Sequence, residues 1–206
     1  NTSTDSVRIW TVTDISNNFG TIATSSFYSA GVLYKNAVLD EHNKQVIEFK
    51  DKEGKVILKK VQLTGADDAG SGKGYYGWLC TYYIYDDLNN LRAVMQPEGV
   101  KTLVAGSWSV TSTMLAEQCF RYEYDARNRM IMKKVPGAGT VYMIYDARDR
   151  LVMSQDSNLR YIHKWLYTLY DSKNRPTTTG LITDNSNSAA YHRTQAAAST
   201  AYPNPA

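Results

Sequence analysis

The stretch Tyr145-Asp146-Ala147-Arg148-Asp149-Arg150-Leu151 decides the fold of this 206-residue chain, because other segments repeat its pattern. The shared order is Tyr-Asp, two variable residues, Asn or Asp, a mostly basic residue, and then an apolar residue or proline. Further copies of this order begin at Tyr85, Tyr124 and Tyr170. Self-similarity of this kind predicts an architecture built from repeated supersecondary units.

Each copy has the chemistry of a tight β-turn. The aspartate can accept a hydrogen bond from the backbone two residues later, and the Asn or Asp three residues after it tolerates the left-handed conformation. A degenerate fifth copy spans 50–56, with Lys50 in the tyrosine position and Gly54 in the asparagine position. Residues before each tyrosine alternate at strand period, and a second apolar run follows each turn. Each unit is therefore predicted to be strand, turn, strand.

The two faces of the predicted strands differ in character. Counting back from each tyrosine in steps of two gives a largely apolar face. On the opposite face, the strand that ends at Tyr124 carries Arg121 and Glu123, which we expect to point outward. The other copies present aromatic rings there, and these could stack on sugar rings or form a second packed face. The four candidate glycan-binding residues are Tyr82, Tyr142, Trp165 and Tyr167.

Composition supports the same fold class and excludes others. The chain is 43% hydrophobic and 21% charged with a net charge of +3, so it carries neither a disorder signal nor the charge of a nucleic-acid or membrane-surface binder. Its 16 tyrosines against 4 phenylalanines and 4 tryptophans favour sheet faces. No apolar window is long enough to span a membrane. The start lacks Met and a secretion signal, so we expect an excised or processed piece.

The regions outside the turns complete the predicted organisation. Residues 1–26 are expected to form strand and loop, 27–182 a YD-repeat sheet domain, and 183–206 a weak helix or disordered tail. One short helix is predicted near 111–118, after possible capping residues. The glycine-rich part of 65–77 is expected to be a flexible loop.

Candidate reactive groups give no local pattern for chemistry. The histidines His42, His163 and His192 are far apart and lack metal-ligand spacing. The glycine-rich stretch 70–74 lacks the residue order of a phosphate-binding loop. One aspartate per turn favours turn capping over calcium binding, which needs six to eight converging oxygens. We therefore predict no metal, cofactor or catalytic residue.

The two cysteines are predicted to be free thiols. Cys80 and Cys119 each lie five residues before the tyrosine of their copy, so they occupy equivalent positions in two units. With one strand between them, the separation is about twice 4.8 Å, which is beyond the reach of a disulfide.

The repeats resemble the YD repeats of the RHS family, in particular RHS-repeat proteins of the Bacteroides type. The resemblance covers roughly residues 27–182 and includes linkers as well as turns, as in the stretches 46–56, 78–83, 136–143 and 164–167. It implies a large surface or secreted polymorphic-toxin protein whose hairpins coil into a hollow β-shell around a C-terminal toxin. This chain has about five units, no recognisable toxin and no Asp-Pro pair, so it lacks the self-cleaving core motif. Only the role of wall segment is carried over.

Three functions remain open at this point. The leading hypothesis is a non-enzymatic structural segment, mainly β, with antiparallel hairpins in a curved open sheet or partial shell and one or two short helices. Its partners would be the rest of the full-length RHS protein and its C-terminal effector, with edge-strand dimers arising from unpaired strands. The alternative is a carbohydrate-binding surface module. The third is an enzyme with a site assembled from distant residues, which nothing in the sequence suggests.

Overall fold

Antiparallel hairpins dominate the computed structural model, which describes residues 1–63 and 71–204. The described strands are β1 (Arg8–Ile15), β2 (Asn18–Phe27), β3 (Tyr34–Leu39), β4 (Gln45–Lys50), β5 (Val56–Gln62), β6 (Trp78–Tyr85), β7 (Leu91–Met95), β8 (Cys119–Tyr124), β9 (Met130–Lys134), β10 (Val141–Tyr145), β11 (Leu151–Gln155), β12 (Lys164–Tyr170) and β13 (Pro176–Thr183). The helices are α1 (Pro97–Ala105), α2 (Ser112–Gln118), α3 (Ser157–Tyr161) and α4 (Ala189–Ala197). The prediction of a mainly β fold of antiparallel hairpins in an open sheet is confirmed.

The chain divides into two compact units, Asn1–Arg121 and Tyr122–Ala206. In the first unit, β1 and β2 form a separate two-stranded sheet, and the strands from β3 onward pair in chain order. In the second unit, β9 to β13 also pair in chain order. The division at residue 121 falls inside the predicted repeat domain of 27–182. Residues 65–70 of the predicted loop at 65–77 lie outside the described residues.

The core of the first unit is built on one face of β6. Trp78, Cys80, Tyr82 and Ile84 alternate along the strand and are all buried. The β1–β2 hairpin supplies the cover, because the Trp10 ring packs edge-on against the Tyr82 ring at 5.4 Å between centroids. The predicted N-terminal strand and loop is therefore a hairpin that closes this core.

The core of the second unit contains Ile144, Val152, Met153 and Trp165, each no more than 2% exposed, together with Ala196 of α4. Helix α4 begins where the Ser188 hydroxyl accepts a hydrogen bond from the Tyr191 amide. The predicted weak helix in the tail is thus a capped and packed element, because its buried side complements the sheet. Residues 205 and 206 lie outside the described residues.

Two of the four α-helices in the described residues were predicted. Helix α2 lies within the predicted 111–118 range, and its first turn is capped by the Thr111 hydroxyl. Helix α1 was not predicted, although Pro97 at its first position is a typical start signal. Helix α3 is five residues long and capped by Asp156, which is too short for periodicity to reveal.

The expectation that Arg121 and Glu123 turn charge outward is wrong. Glu123 is 7% exposed, and Arg121 is half-buried. The Arg121 guanidinium donates to the Gly20 carbonyl at 2.5 Å and lies 4.7 Å from the centre of the Phe19 ring. Strand β2 therefore satisfies and shields this arginine, which a reading of strand β8 alone could not reveal.

Candidate functional site

Six turns share one aspartate geometry, namely the five predicted turns and one further turn at Asp40. In each turn the aspartate Oδ1 accepts hydrogen bonds from the backbone amides two and four residues later, at 2.7 to 3.0 Å. The prediction that these carboxylates close turns is confirmed, and the degenerate copy at 50–56 has the same two hydrogen bonds. The turn at Asp40 was missed because Leu39 stands in the tyrosine position. The six aspartates are Asp40, Asp51, Asp86, Asp125, Asp146 and Asp171.

The third residue after each aspartate adopts the left-handed conformation. Its φ lies between 55° and 86° in all six turns, and its amide donates to the carbonyl of the aspartate at 2.9 to 3.1 Å. Asparagine, aspartate and glycine reach this conformation at little cost, which explains the repeated residue types. These positions are Asn43, Gly54, Asn89, Asn128, Asp149 and Asn174.

The basic residue at the fourth position ties the aspartate side chain into the turn. Arg129, Arg150 and Arg175 each donate from Nε to Oδ2 of the aspartate four residues earlier, at 2.7 to 2.8 Å. Asp146 is fully buried, and burial alone would raise the pKa of its carboxyl. The bonds from Arg150 outweigh burial and hold that pKa below its usual value.

In the copies that begin at Tyr145 and Tyr170, the tyrosine side chain contacts the preceding repeat. The Arg150 guanidinium lies 4.9 Å from the centre of the Tyr170 ring, and the Arg129 guanidinium lies 5.0 Å from that of Tyr145. Both of these tyrosine hydroxyls also donate to a backbone carbonyl just after the preceding turn, as Tyr170 does to Leu151 at 2.9 Å. Tyrosine therefore combines a cation–π contact and a hydrogen bond in one side chain.

The same basic residues also reach the left-handed residue of the next turn. Arg129 Nη1 donates to Asp149 Oδ1 at 2.7 Å, and Arg150 Nη1 donates to Asn174 Oδ1 at 3.3 Å. In the first unit Lys55 lies over the Tyr85 ring at 5.3 Å and its Nζ bonds Asn89 Oδ1. Within each unit, we call these turns and the side chains that bridge them the turn ladder.

The four candidate glycan-binding residues do not present a common open surface. Tyr82 is fully buried in the first unit and Trp165 is 2% exposed in the second, so neither ring face is accessible there. Tyr142 is half-buried with the Arg160 guanidinium 4.9 Å from its ring centre. Tyr167 is half-buried and lies across its strand partner Gly180. Glycan binding stays a prediction, for which Tyr142 and Tyr167 are the remaining candidates.

The structure places His192 beside two polar side chains and joins the two cysteines by no disulfide. His192 is buried, its Nδ1 lies 2.5 Å from the Tyr202 hydroxyl, and its Nε2 lies 3.4 Å from Asp184 Oδ2. Cys80 and Cys119 form no disulfide and are buried on β6 and β8, with β7 between them. Burial raises the pKa of the Cys119 thiol to about 12, so it is held protonated at neutral pH.

An apolar groove of about 310 Å³ lies beside α1 and the start of β6. Its rim carries Glu98 and Lys101, whose charged groups pair at 3.4 Å. Within residues 1–63 and 71–204, no cluster of three or more His, Cys, Asp or Glu side chains is arranged to hold a metal ion. No helix in those ranges is long and apolar enough to cross a bilayer.

Comparison with known proteins gives structural relatives. No protein-family model and no curated protein matches this sequence. A Photorhabdus luminescens Tc holotoxin pore carrying a TccC3 mutation matches 73% of the chain with a TM-score of 0.51 at 13% identity. A TcdB2-TccC3 crystal structure matches 71% of the chain with a TM-score of 0.50 at 13% identity. A TcdB2-TccC3-TEV crystal structure matches 88% of the chain with a TM-score of 0.52 at 11% identity.

The chain spans only 6 to 9% of the length of these structural relatives. At such identity the likeness shows the fold alone, which is RHS-like in general terms. This likeness concerns the path of the backbone, whereas the turn ladder is defined by side-chain contacts.

Proposed function

We propose that this chain is a non-enzymatic structural segment of an RHS/YD-repeat protein at the cell surface or in secreted form. Its strands would form part of a β-shell that encloses or displays a C-terminal effector. The observation that carries the proposal is the turn ladder, in which the repeated side chains bond to their own turn or to the next repeat. Side chains that join one repeat to the next support a structural role.

The energetics of repeat proteins support the same proposal. Each hairpin buries its face only against its neighbours, so a wall of such hairpins depends on contacts between adjacent repeats. The bridge from Arg129 to Tyr145 and Asp149, and the equivalent bridge from Arg150, supply that contact at the end of the strands. Regular bridging of this kind suits a long wall better than a mobile binding loop.

The structural relatives support the identity of the partners. One of them is a chain of a Tc holotoxin pore, and this chain matches a small fraction of each relative. By analogy, the partners of this chain would be the rest of a larger RHS-type protein and the effector that it carries.

The test uses the complete protein in which this chain occurs. Limited proteolysis is expected to leave its C-terminal segment protected while the repeats are folded. Replacing Asp146 and Arg150 together by alanine removes a buried rung of the turn ladder and should expose that segment to cleavage. Arg148→Ala is the matched control, because Arg148 is an exposed residue of the same turn.

Electron microscopy of the same protein gives an independent readout. A hollow particle with density inside is expected. A solid or extended particle, or a C-terminal segment cleaved equally fast in all variants, would contradict the enclosing shell.

A further inference from the structure

The turn ladder of the second unit ends on an unshielded arginine. The Arg175 side chain is 71% exposed, against 18% for Arg129 and 9% for Arg150. Each of the shielded arginines lies over the tyrosine of the next repeat. No ring lies over Arg175 in the part of the chain that the structure describes. Its Nε still bonds Asp171 at 2.7 Å, so the guanidinium is already held in the orientation used at the other turns.

Strand β13, which follows this turn, has one neighbouring strand, β12. Six of its eight residues are exposed, and Leu181 is 51% exposed. An edge strand of this kind offers backbone amides and carbonyls to another strand.

The turn between β3 and β4 offers a position that Arg175 could meet. Leu39, which is 60% exposed, occupies the position of the tyrosine before Asp40. Asn43 has the left-handed conformation of Asp149 and Asn174, which accept hydrogen bonds from the arginine of the preceding turn. Strand β3 likewise has one neighbour, β4.

We propose that β13 of one copy of this chain pairs with β3 of a second copy, head to tail. Arg175 would lie over Leu39 of the second copy and donate to its Asn43. The pairing repeats the relationship of β11 to β12, in which a strand that leaves one turn pairs with the strand that enters the next. This inference goes beyond the proposed wall segment, since it concerns association between copies of this chain.

The complementary ends distinguish this contact from a symmetric dimer. A contact between two different edges leaves one free edge of each kind, so association continues beyond two copies. A β13–β13 pair would close after two copies and would not involve Leu39 or Asn43.

The test measures the mass of the chain by sedimentation as a function of concentration. Arg175→Glu disables the β13 end, and Leu39→Lys places a cation where it would meet Arg175 of the next copy. We expect the mass of each variant to fall to that of a single chain. An equimolar mixture should associate again, because Leu39→Lys keeps an intact β13 end and Arg175→Glu keeps an intact β3 end.

A gain of association is expected from Leu39→Tyr, which completes a Tyr-Asp pair at an exposed position. The cation–π contact should tighten association by about threefold or more. Arg148→Glu is the charge-matched control and should leave association unchanged. Circular dichroism establishes that every variant is folded.

Three outcomes would overturn the proposal. They are a single-chain mass for the unaltered protein at all concentrations, self-association of Leu39→Lys equal to that of the unaltered protein, and a mixture that forms no complex. The second outcome would indicate a β13–β13 pair instead.

Discussion

The Arg150 guanidinium lies 4.9 Å from the centre of the Tyr170 ring, and the hydroxyl of that tyrosine donates to the carbonyl of the residue after the arginine. Two residues twenty positions apart therefore join consecutive repeats at two points. The repeated Tyr-Asp pair has a divided role as a result. Its aspartate closes its own turn, and its tyrosine holds the turn before it.

Removing one tyrosine hydroxyl tests this link. Tyr145→Phe should cost about 1 kcal/mol of unfolding free energy, because the hydrogen bond to the Met130 carbonyl at 3.0 Å is lost. Tyr145→Ala should cost more, about 2 to 3 kcal/mol, since packing and the contact with Arg129 are lost too. Urea unfolding measures both. Tyr161→Phe, at a side chain 86% exposed, is the control, and an equal effect there would contradict the link.

The turn aspartates should differ in importance according to burial. Asp146→Ala removes two accepted amide bonds and leaves the 9% exposed Arg150 side chain without its carboxylate, at a cost of about 3 kcal/mol. Asp171→Ala makes the same chemical change beside Arg175, which water already reaches, so its cost should be clearly smaller. Thermal or urea unfolding compares the two. Equal losses would mean that the aspartate acts only through turn conformation.

The turns could be predicted from the sequence because their geometry is local. An aspartate and a left-handed residue three positions later determine the hydrogen bonds within five residues, and four copies with the same spacing made the pattern visible. The Asp40 turn obeys the same local rule. It was missed because the search began from tyrosine, and tyrosine serves the contact between repeats instead of the turn.

The buried face of the sheet could not be predicted from strand period. Both faces of β6 carry large residues, with Tyr82 on one and Tyr83 on the other, so alternation alone does not choose between them. The choice is made by Trp10, more than seventy residues earlier, which covers the face of Tyr82. In the same way, the bridges of the turn ladder depend on the register between neighbouring hairpins, and uneven spacing along the chain hides that register.

The turn at 50–56 allows the requirement for a left-handed residue to be tested by itself. Gly54 has a φ of +86°, and nothing lies within 4 Å of the position that a Cβ would occupy. Gly54→Ala should therefore cost about 1 kcal/mol through left-handed strain alone. Gly54→Asn is the matched variant, because asparagine occupies this position in four other turns, and it should cost distinctly less. Urea unfolding distinguishes them. Equal costs for both variants would contradict the assigned role of the left-handed residue.

The environment of His192 predicts a loss of stability in mild acid. Burial lowers the pKa of its imidazole below the ordinary value of 6.5, and the Asp184 carboxylate opposes this shift only in part. The unfolded chain therefore takes up a proton at a pH at which the folded chain does not, so stability falls as the pH decreases below about 6.5. The carboxyls of Asp125 and Asp146 have lowered pKa values, so their contribution is retained until the pH falls below about 4.

Because His192 and the aspartates affect stability in different pH ranges, the effect of His192 can be measured separately. Urea unfolding at pH 7.5 and pH 5.5 should give a lower stability at pH 5.5, and His192→Gln should reduce that difference because it removes the titrating group. His42→Gln is the control, since the His42 side chain is 77% exposed and should leave the difference unchanged. The same pH difference in His192→Gln as in the unaltered chain would show that another group is responsible. A reduced difference would assign it to the buried imidazole of His192, whose ring centre lies 4.6 Å from that of Trp165.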